Sequence, residues 1–290
     1  MKVLLMKKTN YFYDDNHVRY NLVSTNGKEK FNWLFFPGGP GADSCYFLDL
    51  VQILQLPGNA WLIDLPGNGN HAVQQDNFDT WLDIFLPTIK RFDNPIIVGH
   101  SFGGQLPLLF PELEDILAGL VLCNTAPCLW LEAAVDMAKE LQLPDLSLEM
   151  QIFTENPTQE TFNQALLACV PYYFPKETLA IGKKMLSGLP INFHPAVWWQ
   201  RKVIENNFDA KWIPKHVPTL ILGAEFDAIT PFSLFIKDTR FDRDNMFKHL
   251  IHDAGHFPWL EKPEEIKKLF RDFLTCIDQE GKPVEYSGVK

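Results

Sequence analysis

The chain has 290 residues, of which 46% are hydrophobic, enough for one large α/β domain or for one domain that carries an insertion. Its formal net charge of -10 argues against nucleic acid or an anionic membrane surface as a partner, because a basic footprint is absent. The N-terminus is charged too early for a signal peptide, no apolar run is long enough for a bilayer span, and the five cysteines match no metal pattern. We therefore expect a cytoplasmic protein with reduced thiols.

The first 124 residues alternate apolar runs with stretches of helical spacing. In chain order, they predict strands over residues 3–8, 18–23, 31–36, 61–63, 96–98 and 117–122, and helices over residues 42–55 and 78–91. Strands that alternate with helices are typical of a mostly parallel sheet covered on both faces.

This alternation stops between residues 125 and 213. Proline-separated helical blocks are predicted there, over residues 129–141, 158–169, 176–186 and 196–206. We interpret residues 125–213 as a helical cap inserted into a core made of residues 1–124 and 214–290. Trp198 and Trp199 are candidates to line a substrate pocket from this cap, although an aromatic pair in a helix also fits an ordinary core.

The sheet pattern resumes after the insertion. Residues 219–222 and 246–251 are predicted as the last strands, and residues 263–277 as a final amphipathic helix that begins with a proline. Residues 280–290 are polar and predict a frayed tail.

One short motif is the strongest indication of chemistry. The apolar run at 96–98 leads into Gly99-His100-Ser101-Phe102-Gly103, which has Gly-x-Ser-x-Gly spacing, and a further apolar run follows. A strand, a tight turn with small residues on both sides and a helix form the setting of a nucleophile elbow. The motif therefore predicts Ser101 as a nucleophile.

A serine nucleophile needs a base, and the base needs an acid that fixes its tautomer. Two loops after predicted strands supply them in the order Ser, acid, His: Asp227 and His256. Glu225 and Asp64 are rivals for the acid, and His252 is the rival for the base. Asp227 and His256 are preferred, the histidine because it follows a flexible Ala-Gly pair and precedes an apolar segment.

A tetrahedral intermediate also needs two N–H donors. The backbone N–H of Phe102, directly after the nucleophile, is one candidate. The second is expected from the glycine-rich loop after residues 31–36, where Gly38 and Gly39 leave the backbone open to a ligand. Gly39 is the preferred donor, and Gly38 is expected to contact the substrate.

Together these motifs resemble those of the α/β-hydrolase superfamily. The matching segments are residues 38–41, 64–69, 99–104, 227–231 and 255–256. The Gly-Gly-Pro-Gly loop most resembles the proline iminopeptidase-like branch. The resemblance implies an α/β-hydrolase fold with about eight strands, helices on both faces and a helical cap after the sixth strand. It also implies a Ser–His–Asp triad that uses neither a cofactor nor a metal.

Two departures bear on the activity. Pro37 stands where the family usually has histidine, and the elbow Gly-His-Ser-Phe-Gly is commoner in esterases than in iminopeptidases. Iminopeptidases hold the substrate ammonium with cap glutamates, and no motif selects one among Glu132, Glu149, Glu155, Glu160, Glu177 and Glu205. The predicted function is a serine hydrolase that cleaves a small ester or amide through an acyl-enzyme. The alternatives are an iminopeptidase-like aminopeptidase and a non-catalytic protein that binds a small ligand. The oligomeric state stays open.

Overall fold

The centre of the protein is an eight-stranded sheet, seen in a computed structural model that describes residues 10–27, 30–71 and 78–278. Its strands are β1 Asn10–Tyr13, β2 Arg19–Asn26, β3 Asn32–Phe36, β4 Gly58–Asp64, β5 Pro95–His100, β6 Gly119–Cys123, β7 Thr219–Ala224 and β8 Met246–Ile251. The predicted eight-stranded α/β-hydrolase architecture is confirmed. The strand expected at 3–8 and the tail at 280–290 lie outside the described residues.

The strand order is β1-β2-β4-β3-β5-β6-β7-β8. β2 is antiparallel to both β1 and β4, and the six strands β4-β3-β5-β6-β7-β8 are parallel to one another. Every residue of β5, β6 and β7 is buried. These strands are covered on both faces, and this is why they read as continuous apolar runs in the sequence.

The helices cover the two faces of the sheet and fill the interval between β6 and β7. In the described chain they are α1 Leu48–Leu54, α2 Thr80–Ile89, α3 Phe102–Gln105, α4 Leu131–Glu140, α5 Ser147–Glu155, α6 Gln159–Ala168, α7 Val170–Tyr173, α8 Leu179–Gly188, α9 Phe193–Glu205, α10 Ser233–Lys237, α11 Pro258–Glu261 and α12 Pro263–Asp278.

Alternate side chains of β3 show how the sheet divides the core. Leu34 and Phe36 belong to the apolar cluster that contains Trp81 of α2. Trp33 belongs to the cluster on the other face, together with Phe270 of α12. Since successive side chains of a strand point to opposite faces, one strand supplies both cores.

Six helices, α4 to α9, occupy the chain between β6 and β7. They include the four predicted blocks, with α5 and the single-turn α7 in addition. Packing in this stretch is uneven, because α4 and α5 have no buried residue whereas α9 buries Trp199 and Val203.

The short helix α7 ties this inserted stretch to the sheet. The carbonyl of Tyr172 accepts a hydrogen bond from the Ala228 N–H (3.1 Å), and the carbonyl of Tyr173 accepts one from the His256 N–H (2.7 Å). Ala228 follows β7 and His256 follows β8. The chain between β6 and β7 therefore contacts the edge of the sheet where the parallel strands end, which in open α/β sheets is the usual place for a ligand crevice.

Candidate active site

Ser101 occupies the sharp turn between β5 and α3. Its backbone lies at φ 54° and ψ -121°, a region that residues with a Cβ rarely adopt. The Ser101 N–H donates to the carbonyls of Cys123 and Asn124, both at 3.1 Å, and the Ser101 carbonyl accepts from Thr125 Oγ1 at 2.6 Å. The end of β6 thus holds the strained turn and leaves the Ser101 side chain at its tip.

The two glycines of the motif are required by close backbone packing. A Cβ on Gly99 would lie 2.2 Å from the Gly103 carbonyl oxygen. A Cβ on Gly103 would lie 2.1 Å from the Phe36 carbonyl oxygen. Real Cβ atoms do not approach other heavy atoms so closely, so any side chain at either position would force the strand and helix apart.

Asp227 follows β7 and is fully buried. Its Oδ1 accepts from the N–H groups of Ile229 (2.9 Å) and Thr230 (3.0 Å), and its Oδ2 accepts from Thr230 Oγ1 and Asn124 Nδ2, both at 2.9 Å. Burial alone would raise the pKa of Asp227, but neighbouring His256 and these donors outweigh it, and the pKa lies below the usual value. The carboxyl is therefore ionised at neutral pH.

His256 follows β8 and is 2% exposed. Its Nδ1 lies 2.9 Å from Asp227 Oδ2, which fixes the ring and directs Nε2 away from the carboxylate. His256 and Ser101 line the same cavity. Among the described residues, the Ser101 hydroxyl makes no hydrogen bond to the His256 ring. Such contacts are often long until a substrate binds.

The rival residues lie elsewhere. His252 and Glu225 form a pair with each other at 3.3 Å, with side chains 72% and 42% exposed. Asp64 is buried against Arg19 at 2.7 Å. Burial and Asp43 raise the pKa of Asp64 to about 6, against the opposing effect of Arg19. None of the three rivals is in the wall of the cavity that holds Ser101.

The glycine-rich loop after β3 lies directly beside the elbow. A Cβ on Gly38 would be 2.8 Å from the Cβ of Ser101. The Gly38 N–H donates to Tyr46 Oη at 2.7 Å and is therefore occupied. The N–H groups of Gly39 and Phe102, both in the cavity wall, have no acceptor among the described residues. These are the two donors that the sequence singled out.

A chain of hydrogen bonds that the sequence did not reveal connects three of these loops. Tyr46 accepts from Gly38, so its single hydroxyl proton is donated to Nδ1 of His100 at 2.9 Å. Nε2 of His100 then carries the other proton and donates to the His256 carbonyl at 2.8 Å. Burial holds the pKa of His100 well below the usual value, so its ring is neutral, as this arrangement requires.

The cavity at Ser101 has a volume of about 80 Å³ and is walled by both the sheet edge and the insertion. Trp199 is in its wall, and its Nε1 donates to Gln105 Oε1 at 2.7 Å. Trp198, the other candidate of the pair, is not in this wall. Its Nε1 donates to Asp79 Oδ1 at 3.0 Å and its ring packs against Trp81, outside the cavity. Adjacent residues of a helix point about 100° apart, so only one of the pair faces the site.

The part of the chain that the structure describes has neither a cluster of metal-binding side chains nor a helix that could span a membrane. The described residues contain no group of three or more His, Cys, Asp or Glu side chains that could hold a metal ion. No helix among them is both long and apolar enough to cross a membrane.

Comparisons with known proteins identify the family of the chain. The sequence profile of the Alpha/beta hydrolase family matches residues 33–269. The chain is 23% identical over 262 residues to a pimeloyl-[acyl-carrier protein] methyl ester esterase of Wigglesworthia glossinidia brevipalpis, covering 83% of this chain and 93% of the relative. It is 26% identical over 266 residues to a proline iminopeptidase of Heyndrickxia coagulans, covering 83% and 89%.

Among solved structures, the proline iminopeptidase-related protein of Thermus thermophilus superposes with a TM-score of 0.68 at 15% identity, covering 93% of this chain and 99% of that one. This likeness shows the fold. The family profile spans most of the chain, and the chain therefore belongs to the alpha/beta hydrolase family. The protein is a hydrolase, and the resemblance to the proline iminopeptidase-like branch is confirmed.

Proposed function

We propose that this hydrolase is a serine esterase in which Ser101, His256 and Asp227 form the catalytic triad. His256 Nε2 removes the proton from Ser101 Oγ as that oxygen attacks the ester carbonyl. The N–H groups of Gly39 and Phe102 stabilise the oxyanion of the tetrahedral intermediate. His256 then returns the proton to the departing alcohol, which leaves an acyl group on Ser101. A water molecule, activated by the same histidine, releases the acid.

The location of the negative charges favours an ester over an N-terminal peptide. A substrate with a free α-ammonium needs a carboxylate near the nucleophile, since a buried cation without a partner is costly. The described wall of the Ser101 cavity contains no aspartate or glutamate, and none of the six glutamates considered as ammonium ligands is part of it. A neutral acyl substrate fits this wall.

The helices between residues 125 and 213 act as the cap in this proposal. They contribute apolar side chains to the cavity, such as Leu166, Leu186 and Trp199. A small cavity bounded by apolar groups excludes water from the reacting carbonyl and strengthens the hydrogen bonds to the oxyanion.

A fluorophosphonate probe tests the nucleophile directly. We expect it to label the wild-type protein at Ser101, and we expect Ser101→Ala to lose both the label and the hydrolysis of p-nitrophenyl acetate. Ser187→Ala is the matched control, because Ser187 is exposed on α8 and its hydroxyl is bonded to the Lys183 carbonyl. Undiminished labelling of Ser101→Ala would rule out this nucleophile.

A second substrate separates the two activities. Turnover of prolyl-p-nitroanilide but not of p-nitrophenyl acetate would favour an aminopeptidase and contradict the ester assignment. Binding of an ester without labelling or turnover would instead indicate a non-catalytic binding protein.

A further inference from the structure

A second, larger cavity adjoins the Ser101 cavity on the side of the insertion. This outer groove, formed by α4, the start of α5, the end of α7 and residues 228–229, has a volume of about 780 Å³. Pockets for small molecules typically have volumes of ~300–1,000 Å³, which the groove reaches and the 80 Å³ cavity at Ser101 does not. The inner cavity has room for the reacting group, and the rest of a larger substrate must extend beyond it.

Two residues connect the outer groove to the site. Trp130 and Ile229 are in the walls of both cavities. Ile229 also donates its N–H to Asp227 Oδ1 at 2.9 Å, so one end of the groove is anchored to the loop that carries the acid. A substrate chain that leaves Ser101 past these two side chains enters the groove.

The groove is suited to an apolar chain. Leu131, Val135 and Met150 in its wall are 37%, 53% and 40% exposed. The two charged residues of the described wall are engaged at the surface: Lys139 pairs with Asp136 at 3.4 Å, and Asp145 accepts from the Ser147 N–H at 2.9 Å. Neither offers a buried charge to a polar ligand.

We propose that the outer groove binds a linear aliphatic chain of the ester substrate, an inference that rests on the proposed function for the position of the ester carbonyl. The wall that the groove shares with the Ser101 cavity at Trp130 and Ile229 favours this occupant over a second copy of the protein, which would cover the outer face of α4 and α5 without entering the site. The substrate class is then esters with a chain of medium length.

The dependence of hydrolysis on chain length is the test. Full burial of a methylene corresponds to about a fourfold gain in binding, and half burial in an open groove to about twofold. From p-nitrophenyl acetate to the octanoate, the six added methylenes raise kcat/KM by about 60-fold, measured below the critical micelle concentration. Octyl acetate compared with methyl acetate shows whether the groove takes a chain on the alcohol side. A flat profile in both series overturns the proposal.

Two matched variants locate the effect. Val135→Glu places a carboxylate in the groove, and we expect the octanoate-to-acetate ratio of kcat/KM to fall at least about tenfold. Leu148→Glu makes the same kind of change on α5 at a residue that is 63% exposed and outside the groove wall, and the ratio stays within about twofold. The ratio cancels any general loss of folded protein. Equal octanoate-to-acetate ratios in the two variants would show that the aliphatic chain of the substrate binds elsewhere.

A binding measurement keeps this inference separate from the proposed function. Ser101→Ala, titrated calorimetrically with methyl octanoate and methyl acetate, binds the octanoate more tightly if the groove holds the chain. If no ester is hydrolysed but this difference persists and Val135→Glu removes it, the proposed function fails and the groove assignment stands. A dimer in solution that Val135→Glu dissociates, together with equal binding of the two esters, would assign the groove to a second copy.

Discussion

The central strands and the first inserted helices differ sharply in how they are packed. Every residue of β5, β6 and β7 is buried, whereas α4 and α5 bury none. The proposed nucleophile, acid and base follow strands of the first kind, and the outer groove is built largely by helices of the second kind. In these proposals the reaction depends on fully buried strands, whereas the choice of chain depends on helices with exposed side chains.

The largest expected effect comes from the acid. Asp227→Asn should lower kcat by about 10²–10⁴-fold because the amide no longer holds His256 in the correct tautomer. The measurement is kcat on p-nitrophenyl acetate, with thermal unfolding as a check on the fold. Glu225→Gln is the control, since Glu225 pairs with His252 at the surface. An inactive Glu225→Gln with an active Asp227→Asn would reverse the assignment of the acid.

The same substitution at the elbow and at the end of α8 compares a tightly packed position with an open one. Gly103→Ala places a Cβ 2.1 Å from the Phe36 carbonyl oxygen and should lower the free energy of unfolding by about 3 kcal/mol. Gly188→Ala, at the last residue of α8 with no neighbour within 4 Å of the added Cβ, should raise it by up to about 1 kcal/mol. Urea unfolding measures both changes in free energy, and equal changes would contradict this difference in packing between the two positions.

The smallest effect concerns the chain of hydrogen bonds through Tyr46. Tyr46→Phe keeps the stacking of the ring on Trp259, with centroids 6.1 Å apart, but leaves the Gly38 N–H and His100 Nδ1 without their partner. Unsatisfied groups of this kind cost about 1–3 kcal/mol, so we expect kcat to fall about tenfold through a displaced loop while KM changes less than about twofold.

Tyr11→Phe serves as the control for this variant, because Tyr11 is 51% exposed on the edge strand β1. An unchanged kcat and an unchanged rate of fluorophosphonate labelling in Tyr46→Phe would show that the hydrogen bonds are dispensable for the reaction.

Sequence predicted the elements whose apolar residues follow a regular spacing or form a continuous run. The strand expected at 246–251 is Met246–Ile251, and the helix expected at 78–91 is Thr80–Ile89, which buries Trp81, Phe85 and Ile89 at every fourth position. α5 was not predicted, because its apolar residues Leu148, Met150 and Ile152 are two positions apart, which is not the i, i+3, i+4 spacing of an amphipathic helix. Burial does not decide the outcome, since α4 buries no residue either and its helical spacing was predicted over 129–141.

The site shows a similar division. Ser101, Asp227 and His256 could be singled out because each stands in a local motif after a strand, and the fold brings the strand ends together. Tyr46 carries no such motif, and its contact with His100 joins residues 54 positions apart. Which of Trp198 and Trp199 faces the cavity depends on the rotation of α9, and an amphipathic pattern does not fix that angle to within one residue.

The two carbonyls at the end of α7 have a consequence for building chimeras from members of this family. Because Tyr172 and Tyr173 accept the N–H groups of Ala228 and His256, the backbones of the acid and base loops are completed by the inserted segment. Gly255 is part of the same contact, since a Cβ there would lie 2.1 Å from the Tyr173 carbonyl oxygen. In a chimera, the segment that replaces the chain between β6 and β7 must therefore keep this single turn in the same position relative to the sheet.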